Sequence, residues 1–364
     1  MIERAFGRRR PWSVGVEEEI MLLDAETLAL VPASADLLDE AGALEVPGVL
    51  KLELFASVLE LTTDPCETAG DAEEALRGLR RRTDEAASRL GLRLAAAGTH
   101  PTARPTDQEI ADDPRYRAFV DYAGVSARRQ GVNGLHVHVE MPSEEACFAA
   151  LEGALPWLPL VLALSANSPY FAGEETGLAS NRAEVLAQLP RSGAPPAFGS
   201  FAGWARFVER FATAGLADDY TRFWWDVRPH PRFGTLEVRM PDQPTALGRT
   251  AAFVALLQTL CAHFADGDGA AADRGVYQQN RWAALRFGAE AELLHPAEDR
   301  TASIAELVQE LLERVSATAA ELGTDRAIGL FQSVEPEGVR QLAVGRARGL
   351  HAVTADVVER TVVS

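Results

Sequence analysis

Two glutamates in the apolar run Val14-Gly15-Val16-Glu17-Glu18-Glu19-Ile20 are the first residues equipped for chemistry. Side chains two apart on a strand share a face, so Glu17 and Glu19 stand together while Val16, Glu18 and Ile20 point away. The same alternation places His136, His138 and Glu140 opposite Val137 and Val139, and groups Thr235, Glu237 and Arg239 on one face of Thr235–Met240. Leu52 to Leu61 adds Glu53 and Glu60, each flanked by leucines. Taken singly, each segment reads as a half-exposed strand with one wet face. If these acids converge, each pair about 5 Å apart repels by about 3 kcal/mol at an effective dielectric of about 20. Such a cluster requires cations.

Oxygen donors with one or two imidazoles and no thiolates select Mg²⁺ or Mn²⁺ over zinc or copper. Divalent ions on an acidic cradle suit a nucleoside triphosphate such as ATP, whose charges they bridge. Arg228 and Arg239 are placed to neutralise a transferring phosphoryl group or to clamp a carboxylate. A structural ion pair is the plainer alternative for either arginine.

The elements that must position these groups follow from pattern. Ser13 to Leu23 reads as a strand, with a turn at Asp24 to Thr27 into a second strand ending near Pro32. Asp71 to Leu90 is a helix capped by Asp71 with Glu74 and stopped by Gly91, and Leu92 to Ala97 is a buried strand. Thr99 to Pro114 is a long loop, Leu135 to Glu140 a strand, and Glu144 to Ala166 a helix broken near Pro156 and Pro159. Ser200 to Ala214 is helical, and Arg222 to Pro241 forms a hairpin turning through Pro229 to Gly234. Helices then predominate: Ala246 to Ala265, Val276 to Phe287, Ser303 to Leu322, and shorter pieces near Val339 to Gly345 and Val353 to Val362. Strands and helices do not alternate regularly, which favours α+β with an antiparallel sheet. The expected organisation is a single catalytic domain, 1–364, helical from about 245 onward.

Composition narrows the function classes. The net charge of −18 disfavours a general nucleic-acid or anionic-membrane binder. Three scattered cysteines, Cys66, Cys147 and Cys261, form neither a disulfide framework nor a zinc site and fit a cytoplasmic setting. Arg8-Arg9-Arg10 is followed by no apolar stretch, so it does not read as a signal peptide, and Ala154 to Leu164 is too short to span a bilayer. Lys51 is the only lysine, which excludes a Walker P-loop; GxGxxG after a strand and GxSxG are also missing. If phosphate is handled, arginine and metal ions must do it.

Several short motifs occur in a telling order. They are Gly15-Val16-Glu17-Glu18-Glu19, Leu59-Glu60-Leu61, Gly98-Thr99-His100-Pro101, Arg115-Tyr116, His136-Val137-His138-Val139, Ser168-Pro169-Tyr170, Ser180-Asn181-Arg182, Trp225-Asp226-Val227-Arg228-Pro229 and Gly234-Thr235-Leu236-Glu237-Val238-Arg239. The set, which runs on to Asn280-Arg281 and Arg286, resembles the short bacterial carboxylate-amine ligases called glutamate–cysteine ligase type 2. The resemblance implies a glutamine-synthetase-like fold, a curved, mainly antiparallel sheet surrounded by helices that lines an ATP and metal cradle. By similarity, Glu17, Glu19, Glu53, Glu60, His136 and Glu237 fall at metal-contacting positions. Arg228, Arg239 and Arg182 fall near the phosphates or the amino-acid carboxylate. Glu18, Glu53 and Glu140 depart from the residues common in relatives, and the aromatic grip on cysteine of the longer enzymes has no match.

The implied reaction is phosphorylation of the glutamate γ-carboxylate by ATP, then attack of an amine on the acyl phosphate, with no covalent enzyme nucleophile. The partners are small amino-acid or amine substrates, with neither nucleic acid nor membrane involved and homo-oligomerisation left open. A metal-dependent amide or phosphate-ester hydrolase using the same acids is the second reading, and a non-catalytic nucleotide or metal sensor the third.

Overall fold

The computed structural model describes residues 2–42, 46–267, 269–333 and 335–362. Its main sheet is built from β1 (Val14–Asp24), β2 (Val49–Leu52), β3 (Val58–Thr62), β4 (Leu92–Ala95) and β5 (Leu135–Glu140). Two two-residue strands, β6 (Tyr170–Phe171) and β7 (Glu174–Glu175), pair only with each other. The strands β8 (Val227–His230) and β9 (Thr235–Val238) complete the sheet in the order β2-β3-β1-β5-β9-β8, and every pairing is antiparallel. The α+β expectation with an antiparallel sheet holds.

Long β1 carries β3 along one edge, through Glu17 to Met21. Its other edge is shared: β5 takes Val14 to Glu18 and β4 takes Met21 to Asp24. The hand-over falls at Glu19, whose backbone N–H turns to Gly134 O at 3.3 Å and Gln243 Oε1 at 3.2 Å. The sheet is therefore interrupted where an acidic side chain emerges.

Alternation decides the faces. Val16, Ile20, Leu22, Leu59, Leu61, Val137, Val139, Leu236 and Val238 are all buried on one face. The helices Ala69–Arg89, Glu144–Ala154 and Leu247–Phe264 pack against it in one core. Each fully buried leucine or valine stabilises this layer by about 1.5–3 kcal/mol. Glu18 interrupts the apolar row and is completely buried. Arg80 meets it with Nε at 2.8 Å, and Thr250 Oγ1 and Gln243 Nε2 donate to it at 2.8 and 2.9 Å. On the opposite face a smaller cluster of Met21, Leu23, Phe55, Val58 and Phe119 closes one end.

Several local expectations need correction. The Ala69–Arg89 helix starts two residues earlier than predicted, with Thr68 as the cap and Asp71 as its reciprocal partner at 3.0 and 3.1 Å. No second strand ends near Pro32; a single bridge, Leu23 to Leu30, is all that forms. Leu52 to Leu61 divides into β2 and β3, leaving Glu53 in the connection. Proline breaks Glu144–Ser165 as expected, with a 3₁₀ turn over Leu155–Trp157 and a second helix over Leu158–Ser165. That stretch and Leu247–Phe264 are long and apolar enough to cross a membrane by composition, yet both are mostly buried inside the protein. A short hairpin, β10 (Glu292–Leu294) with β11 (Thr301–Ser303), interrupts the helical C-terminal region.

Candidate active site

The face of the sheet turned away from the large core carries the ionisable groups in register. One rung runs Lys51, Glu60, Glu19 across β2, β3 and β1. The next runs Thr62, Glu17, His136 across β3, β1 and β5. A third joins His138, Glu237 and Arg228 across β5, β9 and β8. Glu17, Glu19, Glu60, His136 and Glu237 thus converge on one surface, and Glu53 joins them from the β2–β3 connection.

Contacts bind the rungs together. His136 Nδ1 lies 3.1 Å from Glu17 Oε2, and His136 Nε2 lies 3.9 Å from Glu19 Oε1. His138 Nε2 is 3.6 Å from Glu17 Oε1, while its Nδ1 meets Thr235 Oγ1 at 2.9 Å. Lys51 Nζ and Thr62 Oγ1 both donate to Glu60 Oε1, at 2.8 and 2.7 Å. Glu19 accepts the Gly134 backbone N–H, and Glu53 accepts that of Leu54 at 2.8 Å.

The charges divide into compensated and uncompensated groups. Burial alone would raise Glu17, but hydrogen bonds with His136 and His138 outweigh it and hold the carboxyl well below its ordinary range. Burial of Glu237 is likewise overcome by Arg228 and Arg239. By contrast, burial pushes Glu19 up to about 7 against the pull of Arg182. Burial, with Glu19 and Glu60 beside it, pushes Glu53 up to about 8. Burial, followed by the charge of Arg239, lowers His136 to about 4. For His138, Glu237 and Glu17 outweigh burial and raise the imidazole. Buried carboxylates whose arginine neighbours do not offset burial have the chemistry of ligands for a hard cation.

The tightest potential ligand group is Glu17, His138 and Glu237, whose candidate atoms all lie within 4.8 Å of one another. Strand alternation puts His138 on the face of His136, and the resemblance gives the metal position to His136; the cross-strand register with Glu237 is what brings His138 forward. The arginines are more occupied than expected. Arg228 grips Glu237 through Nε at 2.6 Å and Nη2 at 3.0 Å, and its Nη1 donates to the Thr221 and Phe223 carbonyls at 2.9 and 3.1 Å. Arg239 also donates to Glu237. Arg182 is buried, with Nη1 on Met240 O at 3.0 Å and Nη2 on Arg239 O at 2.9 Å.

Two clefts flank the same acidic stretch of β1 and β5 without sharing a lining residue. The smaller, about 210 Å³, has Glu19, Glu53, His136, Arg182 and Arg239 at its polar end and Phe55, Phe119 and Trp224 at its apolar end. The larger, about 530 Å³, contains Glu17 and His138 and is bordered by Lys51, Arg8, Arg9, Arg232 and Phe233. Adjacent residues of the same two strands therefore serve different cavities.

A family model described as glutamate-cysteine ligase family 2 matches residues 13–353. A Rubrobacter xylanophilus relative provisionally named glutamate–cysteine ligase 2-3 is 43% identical over 343 residues, 94% of this chain and 92% of that protein. A Sorangium cellulosum relative provisionally named glutamate–cysteine ligase 2 is 35% identical over 360 residues, 96% of each. Among solved structures, a Francisella tularensis glutamate–cysteine ligase in complex with AMP aligns with a TM-score of 0.74 and 13% identity, covering 96% of this chain and 88% of that one. A bifunctional glutathione synthetase from Pasteurella multocida aligns at 0.69 and 17% identity, covering 96% of this chain and 52% of that one. At these identities the structural likeness establishes the shared fold.

Proposed function

The chain belongs to glutamate-cysteine ligase family 2, and from that membership we infer an ATP-dependent carboxylate–amine ligase. We propose that the acyl donor is glutamate, activated at its γ-carboxylate, and that the acceptor is an amine such as cysteine. The observation that carries this reading is that same-face neighbours on two strands of one acidic sheet face, Glu17 and Glu19, and His136 and His138, line two different clefts. A nucleotide in the larger cleft and amino-acid substrates in the smaller bring a phosphoryl group and a carboxylate together at β1.

The donor set fits a hard divalent ion: carboxylates with imidazole, no thiolate, and two buried acids, Glu19 and Glu53, whose nearby arginines do not offset their burial. Glu17, His138 and Glu237, with Glu19, Glu53, Glu60 and His136 beside them, would hold Mg²⁺ or Mn²⁺. Such ions, when bound, supply the charge neutralisation that phosphoryl transfer needs.

The remaining work falls to the chain's own residues. Of the four arginines that line the smaller cleft, Arg115, Arg182, Arg222 and Arg239, Arg182 and Arg239 are the two beside Glu19 and hold the carboxylates of the acyl donor there. A γ-carboxylate oxygen attacks the terminal phosphorus of ATP, the bond to the bridging oxygen breaks, and ADP departs. The amine nitrogen then attacks the acyl carbon, loses a proton, and expels phosphate. Positioning and electrostatics account for the catalysis, since Cys66, Cys147 and Cys261 are buried and remote from any need for a nucleophile. Three free thiols and ATP chemistry accord with a cytoplasmic setting.

Purified protein given ATP, glutamate and Mg²⁺ or Mn²⁺ is expected to release ADP only when a suitable amine is added, with the amide product identified by mass. Glu60→Gln and Glu237→Gln should each abolish that condensation while leaving the far-ultraviolet circular dichroism unchanged. Amine-independent phosphate release with no amide product would overturn the ligase reading.

A further inference from the structure

The run Arg8-Arg9-Arg10 lies outside the family match, which begins at residue 13. The structure folds this segment back onto the sheet. Ala5 N donates to Pro231 O at 2.9 Å, Gly7 N to Met141 O at 3.0 Å and Trp12 N to Glu140 O at 3.1 Å. Gly7, at φ +71°, could carry no side chain, because a Cβ would stand 2.7 Å from Pro142 O. Gly234, at φ +77°, lies equally close under the segment, with Ala5 O 2.6 Å from where its Cβ would be. These anchors hold Arg8 and Arg9 at the border of the larger cleft, with Arg232 and Phe233 of the β8–β9 turn.

The chain holds 53 acidic residues against 35 basic ones, so cations gathered at one cleft run against its average charge. Among the described residues, neither Arg9 nor Arg232 forms a salt bridge. Arg8 reaches only Glu3, at 3.6 Å and with both side chains largely exposed, a pairing of little energetic weight. The cleft also contains Glu17, which repels a bare anion. A polyphosphate carrying a divalent ion complements both the acids and the arginines. Phe233 adds a reason to expect a nucleoside: the residue is 51% exposed, yet its ring is braced by stacking on His230 at 4.1 Å and 12°. An exposed, immobilised aromatic face among phosphate-seeking cations suits a nucleobase.

We propose that Arg8, Arg9 and Arg232 form a cationic clamp on the polyphosphate of the nucleotide in this cleft, with Phe233 as the platform for its base. The clamp rests on the ligase reading in needing a nucleotide at this site, and it adds a segment that the family match does not include.

Calorimetric titration of the full chain with Mg·ATP, inorganic triphosphate and adenosine tests it. Arg9→Ala and Arg232→Ala should each weaken Mg·ATP and triphosphate by about tenfold or more, the loss of one charge-assisted hydrogen bond, while leaving adenosine unchanged. Arg9→Lys should recover part of the loss, and Phe233→Ala should weaken adenosine and Mg·ATP but not triphosphate. In turnover, the arginine variants should raise the KM for ATP while the KM for glutamate stays put. On the wild type, triphosphate affinity should fall steeply with ionic strength, a measurement that needs no variant. Unchanged ATP and triphosphate affinities in folded arginine variants would overturn the clamp and leave the ligase reading standing. A wild-type protein that takes up no Mg·ATP would overturn both.

Discussion

A side chain at Gly134 and the guanidinium of Arg182 exclude each other: a Cβ built on Gly134 would lie 2.0 Å from Arg182 Nη2. Gly134 is also the donor to the Glu19 carboxylate, so one glycine sets both a cation and an acid of the smaller cleft. Its φ is not positive, and the constraint is steric closeness rather than backbone freedom. Gly134→Ala should therefore displace Arg182 from the Met240 and Arg239 carbonyls, at about 1–3 kcal/mol of overpacking strain. Steady-state kinetics should show a fall in kcat/KM for glutamate of about a hundredfold, with the ATP KM little altered. Near-normal glutamate kinetics would remove Arg182 from substrate binding.

Beneath the site, Glu18 and Arg80 form a pair with essentially no exposure, bound also by Thr250 and Gln243. Removing one member leaves an uncompensated buried charge. Urea unfolding at neutral pH should report a loss of about 3–5 kcal/mol for Arg80→Met. The double variant Glu18→Leu with Arg80→Met should regain most of that loss, because the charge and its partner go together. Additive losses would show that packing, and not charge, is what the pair contributes.

The sequence made the face assignments legible wherever strict alternation held. Leu135–Glu140 has the predicted boundaries, and the opposition of His136 and His138 to Val137 and Val139 was readable because a strand repeats every two residues. The partnership of Arg228 with Glu237 was not. Its register depends on turn length, and placing the turn at Pro229 to Gly234 would shorten both ladders. The observed turn is confined to 231–234, so His230 pairs with Thr235 and Arg228 with Glu237. The Thr68 cap was missed for a similar reason: Asp71 occupies the reciprocal position of the capping box and imitates a cap. Glu53 belongs to the site through a chain reversal that no local period encodes.

Metal addition separates the two histidines. His138 belongs to the close group with Glu17 and Glu237, whereas His136 bridges Glu17 and Glu19 next to Arg239. In thermal unfolding, Mn²⁺ or Mg²⁺ should raise the Tm of the wild type, by about 2.7 kcal/mol of stabilisation at a hundredfold excess over Kd. His138→Gln should lose at least about tenfold in metal affinity and most of that stabilisation, consistent with the loss of a ligand. His136→Gln should retain more of it. An equal metal response in all three proteins would dissociate His138 from the ion.

Acid stability should depend on His100, which is buried outside the acidic cradle. Its Nδ1 accepts the backbone N–H groups of Thr102 and Ala103 at 3.2 and 3.1 Å, leaving Nε2 to donate to Leu28 O at 3.0 Å. That pattern requires the neutral ring, because a proton on Nδ1 would face two N–H donors. Burial, opposed in part by the Leu28 carbonyl, accordingly holds the group below its ordinary 6.5. The unfolded chain thus takes up the proton first as pH falls. Stability on this account is full above 6.5, declines as pH drops through it, and levels off below the folded-state value. The slope is at most about 1.4 kcal/mol per pH unit. His100→Gln keeps a donor and an acceptor but does not titrate. Its unfolding free energy, measured by urea between pH 7 and 5, should fall less steeply than that of the wild type, and parallel slopes would show that other groups control acid stability.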